Sequence, residues 1–161
     1  IARGQDSWDG ILKPLGVRNF GFGWDRIENV LWRVYHDELD GFEAEQIILM
    51  IGTNNINSNS DTEIIIGLET LIRAIKIRQP KSKILMIGIL PRTGKEKLIK
   101  ELNLKIAQLA DSEAIDFNII DDQLLLKDGT IDESLFTDGL HPNREGYMIM
   151  GKQLERIIKD K

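Results

Sequence analysis

The chain has 161 residues, 26 acidic side chains against 21 basic ones, a net charge of −5 and no cysteine. That length allows one domain to bury a core without staples, and the missing cysteines exclude disulfides, thiolate metal sites and thiol nucleophiles. Basic residues scattered through an acidic chain argue against a phosphate-binding surface, so nucleic acid is not an expected partner. No apolar run approaches the roughly 20 residues that span a bilayer.

In chain order, residues 1–15 read as the tail of a helical region, with Trp8, Ile11, Leu12 and Leu15 facing a sheet and Ser7 as a helix N-cap. Residues 17–22 are a short strand candidate ending in glycines. Residues 26–35 carry Ile27, Val30, Leu31 and Val34 at helical spacing. The continuous apolar run 47–51, stopped by Gly52, suits a strand buried on both faces. Ser60-Asp61-Thr62-Glu63 is a capping-box pattern, and Ile64, Leu68, Leu71, Ile72 and Ile75 then mark a helix face ending near Gln79-Pro80. Residues 83–90 are another buried strand closed by Pro91. Leu98, Leu102, Ile106 and Leu109 mark a further helix, 115–120 a last strand and 147–158 a closing helix. Strands alternating with helices predict an α/β domain over residues 1–161, its parallel sheet covered on both sides. No signal peptide is visible, yet the first residue is Ile1 rather than Met. Localisation therefore stays open between the cytoplasm and export after loss of a signal segment.

Candidate chemistry falls after the carboxyl ends of the expected strands, where open parallel sheets bind ligands. Asp138 stands three residues before His141, one of only two histidines, on the loop Thr137-Asp138-Gly139-Leu140-His141-Pro142-Asn143. At that spacing the carboxylate can fold back onto Nδ1 and leave Nε2 to accept a proton from a nucleophile. Gly52-Thr53-Asn54-Asn55 ends an apolar run. Each piece alone has a plain structural reading, as a surface loop or a strand-terminating turn. His36 reads as a favourable charge at a helix C-terminus, and Asp121-Asp122 as a solvated turn without partners at metal-ligand spacing. Gly21-x-Gly23 has Arg26 where a dinucleotide fingerprint needs glycine, so no cofactor and no metal are implied.

The combination says more. Asn19-Phe20-Gly21-Phe22-Gly23-Trp24-Asp25, Val30-Leu31-Trp32-Arg33, Gly52-Thr53-Asn54-Asn55, Arg78-Gln79-Pro80, Gly88-Ile89-Leu90-Pro91-Arg92 and Asp138-x-x-His141 occur in that order. The set resembles the SGNH (GDSL-type) hydrolase family, and within it the branch of the intracellular brain-type platelet-activating-factor acetylhydrolases and their bacterial relatives, from about Asn19 to the C-terminus. The resemblance implies a flavodoxin-like three-layer sandwich of strand order 2-1-3-4-5. It makes His141 the general base, Asp138 its orienting partner and Asn54 an oxyanion donor. The second oxyanion donor, a backbone N–H, falls on Trp24, where the family usually has glycine.

The family's first block, a strand ending in Gly-Asp-Ser, has only Gln5-Asp6-Ser7 as a lookalike. No apolar strand precedes it, and 12 positions to Asn19 are too few for the usual strand, turn and helix. The nucleophilic serine and the first strand are therefore expected upstream of Ile1, with the domain N-terminally incomplete. The expected function is hydrolysis of short-chain acyl esters, acetyl above all, by a serine/His/Asp mechanism. The substrate would be a lipid or an acylated sugar, and the resembling subunits act as dimers, so a homodimer is expected. The alternative is a non-catalytic binding or interaction protein that keeps the fold without the nucleophile.

Overall fold

Three of the apolar runs become strands in the computed structural model of the protein, which describes residues 4–160. In chain order the elements are α1 (Gln5–Ser7), continued by a π-helical turn (Trp8–Leu12) and a 3-10 turn (Lys13–Leu15), then α2 (Ile27–Tyr35), β1 (Gln46–Leu49), α3 (Asp61–Arg78), β2 (Lys83–Ile87), α4 (Glu96–Ser112), β3 (Asp116–Asn118), a 3-10 turn (Glu133–Leu135) and α5 (Arg144–Lys159). The strands form a parallel sheet in the order β1-β2-β3, with Gln46 opposite Lys83 and Leu85 opposite Asp116. Parallel neighbours need a crossover, and α3 and α4 supply the two. The described residues divide into two units. One draws on residues 4–21, 90–100 and 120–160, the other on Phe22–Ile89 and Glu101–Ile119.

The second unit holds the sheet. Ile84, Leu85, Met86 and Ile87 on the central strand are all buried, as are Ile64, Leu68, Leu71, Ile72 and Ile75 on α3 and Leu102, Ile106 and Leu109 on α4. Each such side chain contributes about 1.5–3 kcal/mol by leaving water. The capping box at α3 forms as its spacing requires: the Ser60 backbone N–H donates to Glu63 Oε2 (2.7 Å) and the Glu63 N–H to Ser60 Oγ (3.3 Å). Two buried amides tie down the loops. Gln79 donates to the Leu39 and Phe42 carbonyls (2.6 and 2.8 Å), and Asn103 accepts from Ile89 N–H (2.8 Å) while donating to its carbonyl (2.9 Å).

Two strand expectations need correction. β1 is not buried on both faces: Ile47 and Ile48 are half-buried and Met50 is exposed, since among the described residues β1 stands at the edge of the sheet. Residues 17–22 form no strand. Among the described residues no ladder reaches them, and a segment outside a ladder satisfies its backbone groups by other bonds. The Gly21 N–H accordingly donates to Asn19 Oδ1 (2.8 Å), and Phe20 and Phe22 lie exposed.

In the first unit the N-terminal helical stretch packs along α5. Ser7 is buried, and its hydroxyl donates to the Tyr147 carbonyl at 2.8 Å. A Cβ on Gly151 would overlap Ser7 Oγ, and one on Gly4 would overlap the Tyr147 ring, so small residues set this close approach. Ser7 lies inside the helical stretch and its side chain caps nothing, which corrects the N-cap expectation. Trp8, Ile11, Leu12 and Leu15 are half-buried. The part of that expectation that concerns residues 1–3 lies outside the described residues.

Candidate active site

The loop before α5 belongs to the first unit and is pinned along its length. The Thr137 N–H donates to the His141 carbonyl (2.8 Å), and Thr93 N–H donates to the Gly139 carbonyl (2.9 Å). Gly139 takes a φ of 69°, and a Cβ there would overlap Thr93 Oγ1, so glycine is required on both counts. Asn143 then caps α5, accepting from the Glu145 and Gly146 N–H groups at 3.0 and 3.1 Å. Within this frame Asp138 Oδ1 accepts from the backbone N–H of His141 (2.8 Å), and His141 Nδ1 lies 2.9 Å from Asp138 Oδ2 and 3.1 Å from Oδ1. A carboxylate can only accept, so Nδ1 carries the proton and the lone pair of the neutral ring sits on Nε2. Both side chains remain nearly half exposed, at 45% and 43%.

The turn after β1 belongs to the second unit. Gly52 has a φ of 117° and a Cβ there would crowd Ile89, so the turn after the strand calls for glycine at that position. The Asn54 carboxamide donates to the Asp25 carbonyl at 2.8 Å, which brings it against the Asp25-Arg26 peptide, one residue on from Trp24. A primary amide carries two N–H donors, and this bond commits one of them. Trp24 adopts the left-handed region at φ 67° with 88% of its surface exposed. A non-glycine residue there is strained by about 1–2 kcal/mol. Asn55 does something different: it is buried, its Oδ1 accepts from the Ile27 N–H at the start of α2 (3.0 Å), and its Nδ2 donates to Glu28 and Asn59 (3.0 Å each).

Around Asp25 lies a charged cluster that the sequence reading did not single out. Arg33 Nη1 donates to Asp25 Oδ1 (3.0 Å), Nη2 lies 2.7 Å from Asp25 Oδ2, and Nε donates to Glu38 Oε1 (2.8 Å). The hydrogen bond to Asp25 raises the Arg33 pKa above its already high ordinary value. No spacing in the sequence signals it, since Asp25 precedes α2 and Arg33 lies within it.

Of the remaining sequence candidates, Ser7 is turned to Tyr147 as described. His36 closes α2, with Nδ1 2.6 Å from the Trp32 carbonyl and its ring stacked on Trp32 at 3.9 Å. Asp121 is half-buried, and burial first, then the charge of Asp122, pushes its carboxyl above the usual range. No cluster of His, Asp and Glu fit for a metal occurs among the described residues, and no helix there is long and apolar enough to cross a membrane.

Sequence and fold comparisons agree on where this arrangement belongs. The platelet-activating factor acetylhydrolase IB subunit alpha2 of Rattus norvegicus is 33% identical over 159 residues, covering 94% of this chain and 68% of that protein. The Homo sapiens subunit matches at the same identity and coverage. A GDSL-like lipase from Bacteroides thetaiotaomicron superposes with a TM-score of 0.83 over 98% of this chain and 82% of its own, at 18% identity, which speaks for the fold. A sequence profile of GDSL-like lipases and acylhydrolases matches residues 2–149, nearly the whole chain, and the protein belongs to that hydrolase family, the GDSL-like lipase/acylhydrolase family.

Proposed function

We propose that the protein hydrolyses short-chain acyl esters, acetyl esters above all, through a serine nucleophile served by His141 and Asp138. His141 Nε2 takes the proton as the serine hydroxyl attacks the ester carbonyl. The tetrahedral intermediate collapses to an acyl-enzyme, and the alcohol leaves with that proton. Water, deprotonated in turn by His141, then releases the acid. Asp138 keeps Nδ1 protonated and stabilises the imidazolium. The second N–H of Asn54, with the backbone N–H of Trp24, donates to the oxyanion. The observation that carries this reading is the 2.9 Å pairing of His141 Nδ1 with Asp138 on a pinned loop. The ester substrate itself is a lipid or an acylated sugar.

The nucleophile is not among the six serines of this chain. Ser7 donates to the Tyr147 carbonyl, Ser82 Oγ to Ala44 (2.5 Å), Ser112 Oγ to Leu109 (2.8 Å) and Ser134 Oγ to Asp132 (2.5 Å). Ser60 caps α3, and Ser58 lies exposed in the turn after Asn55. We place the nucleophile on a further strand that would pair with the open edge of β1, making β1, β2 and β3 the last three strands of a 2-1-3-4-5 sheet. The same observation favours a second reading, a non-catalytic protein that keeps the loops without the nucleophile. A serine-directed fluorophosphonate probe applied to the whole protein distinguishes them. The hydrolase reading expects one labelled serine outside these six, with labelling slowed by His141→Ala. No labelling and no ester turnover would favour the second reading, and labelling lost on Ser7→Ala would overturn the placement.

A further inference from the structure

We infer that Arg33 is a positioning residue for the Asn54 amide, acting through the turn at 22–25; the inference rests on the oxyanion role proposed for Asn54. One guanidinium grips that turn at both ends. It pairs with the Asp25 carboxylate (3.0 and 2.7 Å) and lies over the Phe22 ring, 4.7 Å from its centre. Between these anchors, the Asp25 N–H meets the Phe22 carbonyl only at 3.5 Å, a weak closure for a four-residue turn. Glu38 holds the guanidinium from the other side with a 2.8 Å bond to Nε, and the Glu38 N–H donates back to the Arg33 carbonyl at 3.2 Å.

Two observations say that this clamp serves more than stability. The three charged side chains are nearly buried, at 18% exposure for Arg33, 14% for Asp25 and 16% for Glu38. A buried ion cluster of that kind gives little net stability over an apolar one. What it does provide is fixed geometry, since the planar fork of arginine aligns a carboxylate in two directions at once. The second observation is Trp24, held at φ 67° although its side chain is 88% exposed and so gains almost no packing. Strain of this sort persists only where neighbouring contacts over-determine the backbone, and Arg33 supplies them on both flanks. The Asp25 carbonyl, fixed by the same grip, accepts the Asn54 amide at 2.8 Å and so aims its remaining N–H. Oxyanion donors work by being aimed before charge develops.

The test uses Asp25→Asn and Arg33→Lys in the whole protein, both close in shape to the originals, with Arg33→Ala as the more drastic variant. Turnover of 4-nitrophenyl acetate is followed together with the side-chain amide resonances of Asn54 in ¹⁵N–¹H spectra. The expected result is a fall in kcat of about 10- to 100-fold with KM changing less than about 3-fold, accompanied by shifted, broadened Asn54 amide signals. Folded Asp25→Asn and Arg33→Lys proteins with wild-type kcat and unmoved Asn54 signals would overturn the inference. If the wild-type protein turns over no ester, the hydrolase reading fails by itself. The Asn54 signals then decide the clamp alone: moved signals uphold it and unmoved ones overturn it.

Discussion

The 137–143 loop and the corner built from residues 22–38 and 52–59 are both polar clusters on turns, yet they are held by opposite means. His141 and Asp138 lie three residues apart, nearly half exposed, and bond mainly to each other and to their own loop. The corner joins groups far apart in the chain: Asn54 to Asp25, Asn55 to Ile27, Arg26 to Asn59 (2.8 Å), with Arg33 between Asp25 and Glu38. A local, exposed pair can be changed with little harm to the fold. A wired, half-buried corner carries structure and aim together, so substitutions there should divide between the two according to which bond they remove.

The sharpest contrast comes from His141→Ala. Removing the base of such a dyad should lower kcat by about 10⁴-fold or more. Because the side chain is half exposed and its ion pair is worth at most about 1 kcal/mol, Tm should hardly move. Ester turnover beside a thermal melt checks both. A variant retaining near wild-type turnover would remove His141 from the mechanism, and one that unfolds would remove the claim that the loop is held by its backbone bonds.

Asn54→Ala should be the mixed case. Losing one oxyanion donor costs about 10²–10³-fold in kcat, and losing the bond to the Asp25 carbonyl costs about 1 kcal/mol of stability. Asn55→Ala, one residue on, should be the structural case. It strands the Ile27 N–H at the buried start of α2, a loss of about 2 kcal/mol, while kcat of the folded fraction changes less than about 10-fold. Denaturant unfolding and turnover measured on the same samples separate the pair. Equal effects of both substitutions on kcat would mean that the corner acts as one unit and that the contrast between the neighbours is wrong.

What could be read from sequence follows the same division. The α3 face from Ile64 to Ile75 and the Ser60/Glu63 cap are written in spacings of three and four residues, and so is the Asp138–His141 pairing. The helix or turn itself closes those contacts. Strand existence was legible in 47–51 and 83–90, but their extent was not, because a strand ends where its partner ends: β1 and β2 stop at Leu49 and Ile87. Residues 17–22 carried the composition of a strand, but among the described residues no neighbouring strand pairs with them. Arg33, Asp25 and Glu38 each look like ordinary surface charges in the sequence. Only the folded chain brings them within bonding distance and covers them. The split role of Asn54 and Asn55 was equally hidden, since both stand in one turn and only the long-range partner tells them apart.

The smallest effects expected concern two carboxyls whose surroundings differ as the two regions do. Glu113 is bonded across the fold to Lys76 Nζ (2.9 Å) and Arg73 Nε (2.9 Å), and these bonds, that to Lys76 first, hold its pKa below the ordinary value. A group with a depressed folded pKa contributes stability that is fully present above its unfolded pKa and is lost as pH falls through the folded one. Glu113→Gln should therefore cost about 1 kcal/mol or less at neutral pH, and the difference should fade under acid. Asp121 is the reverse case. Burial, then the neighbouring charge of Asp122, raises its folded pKa. The folded state then binds the proton more tightly than the unfolded one, and stability falls as pH climbs from the ordinary aspartate range through the raised value. Asp121→Asn removes that loss, so it should raise Tm at neutral pH by at most about 2 °C, since the half-buried charge is partly screened by solvent. Below the ordinary range variant and wild type should melt together. Thermal melts from acid to neutral pH test the sign: an Asp121→Asn protein less stable than wild type at neutral pH would mean that the Asp121 carboxylate is held by partners rather than penalised by burial.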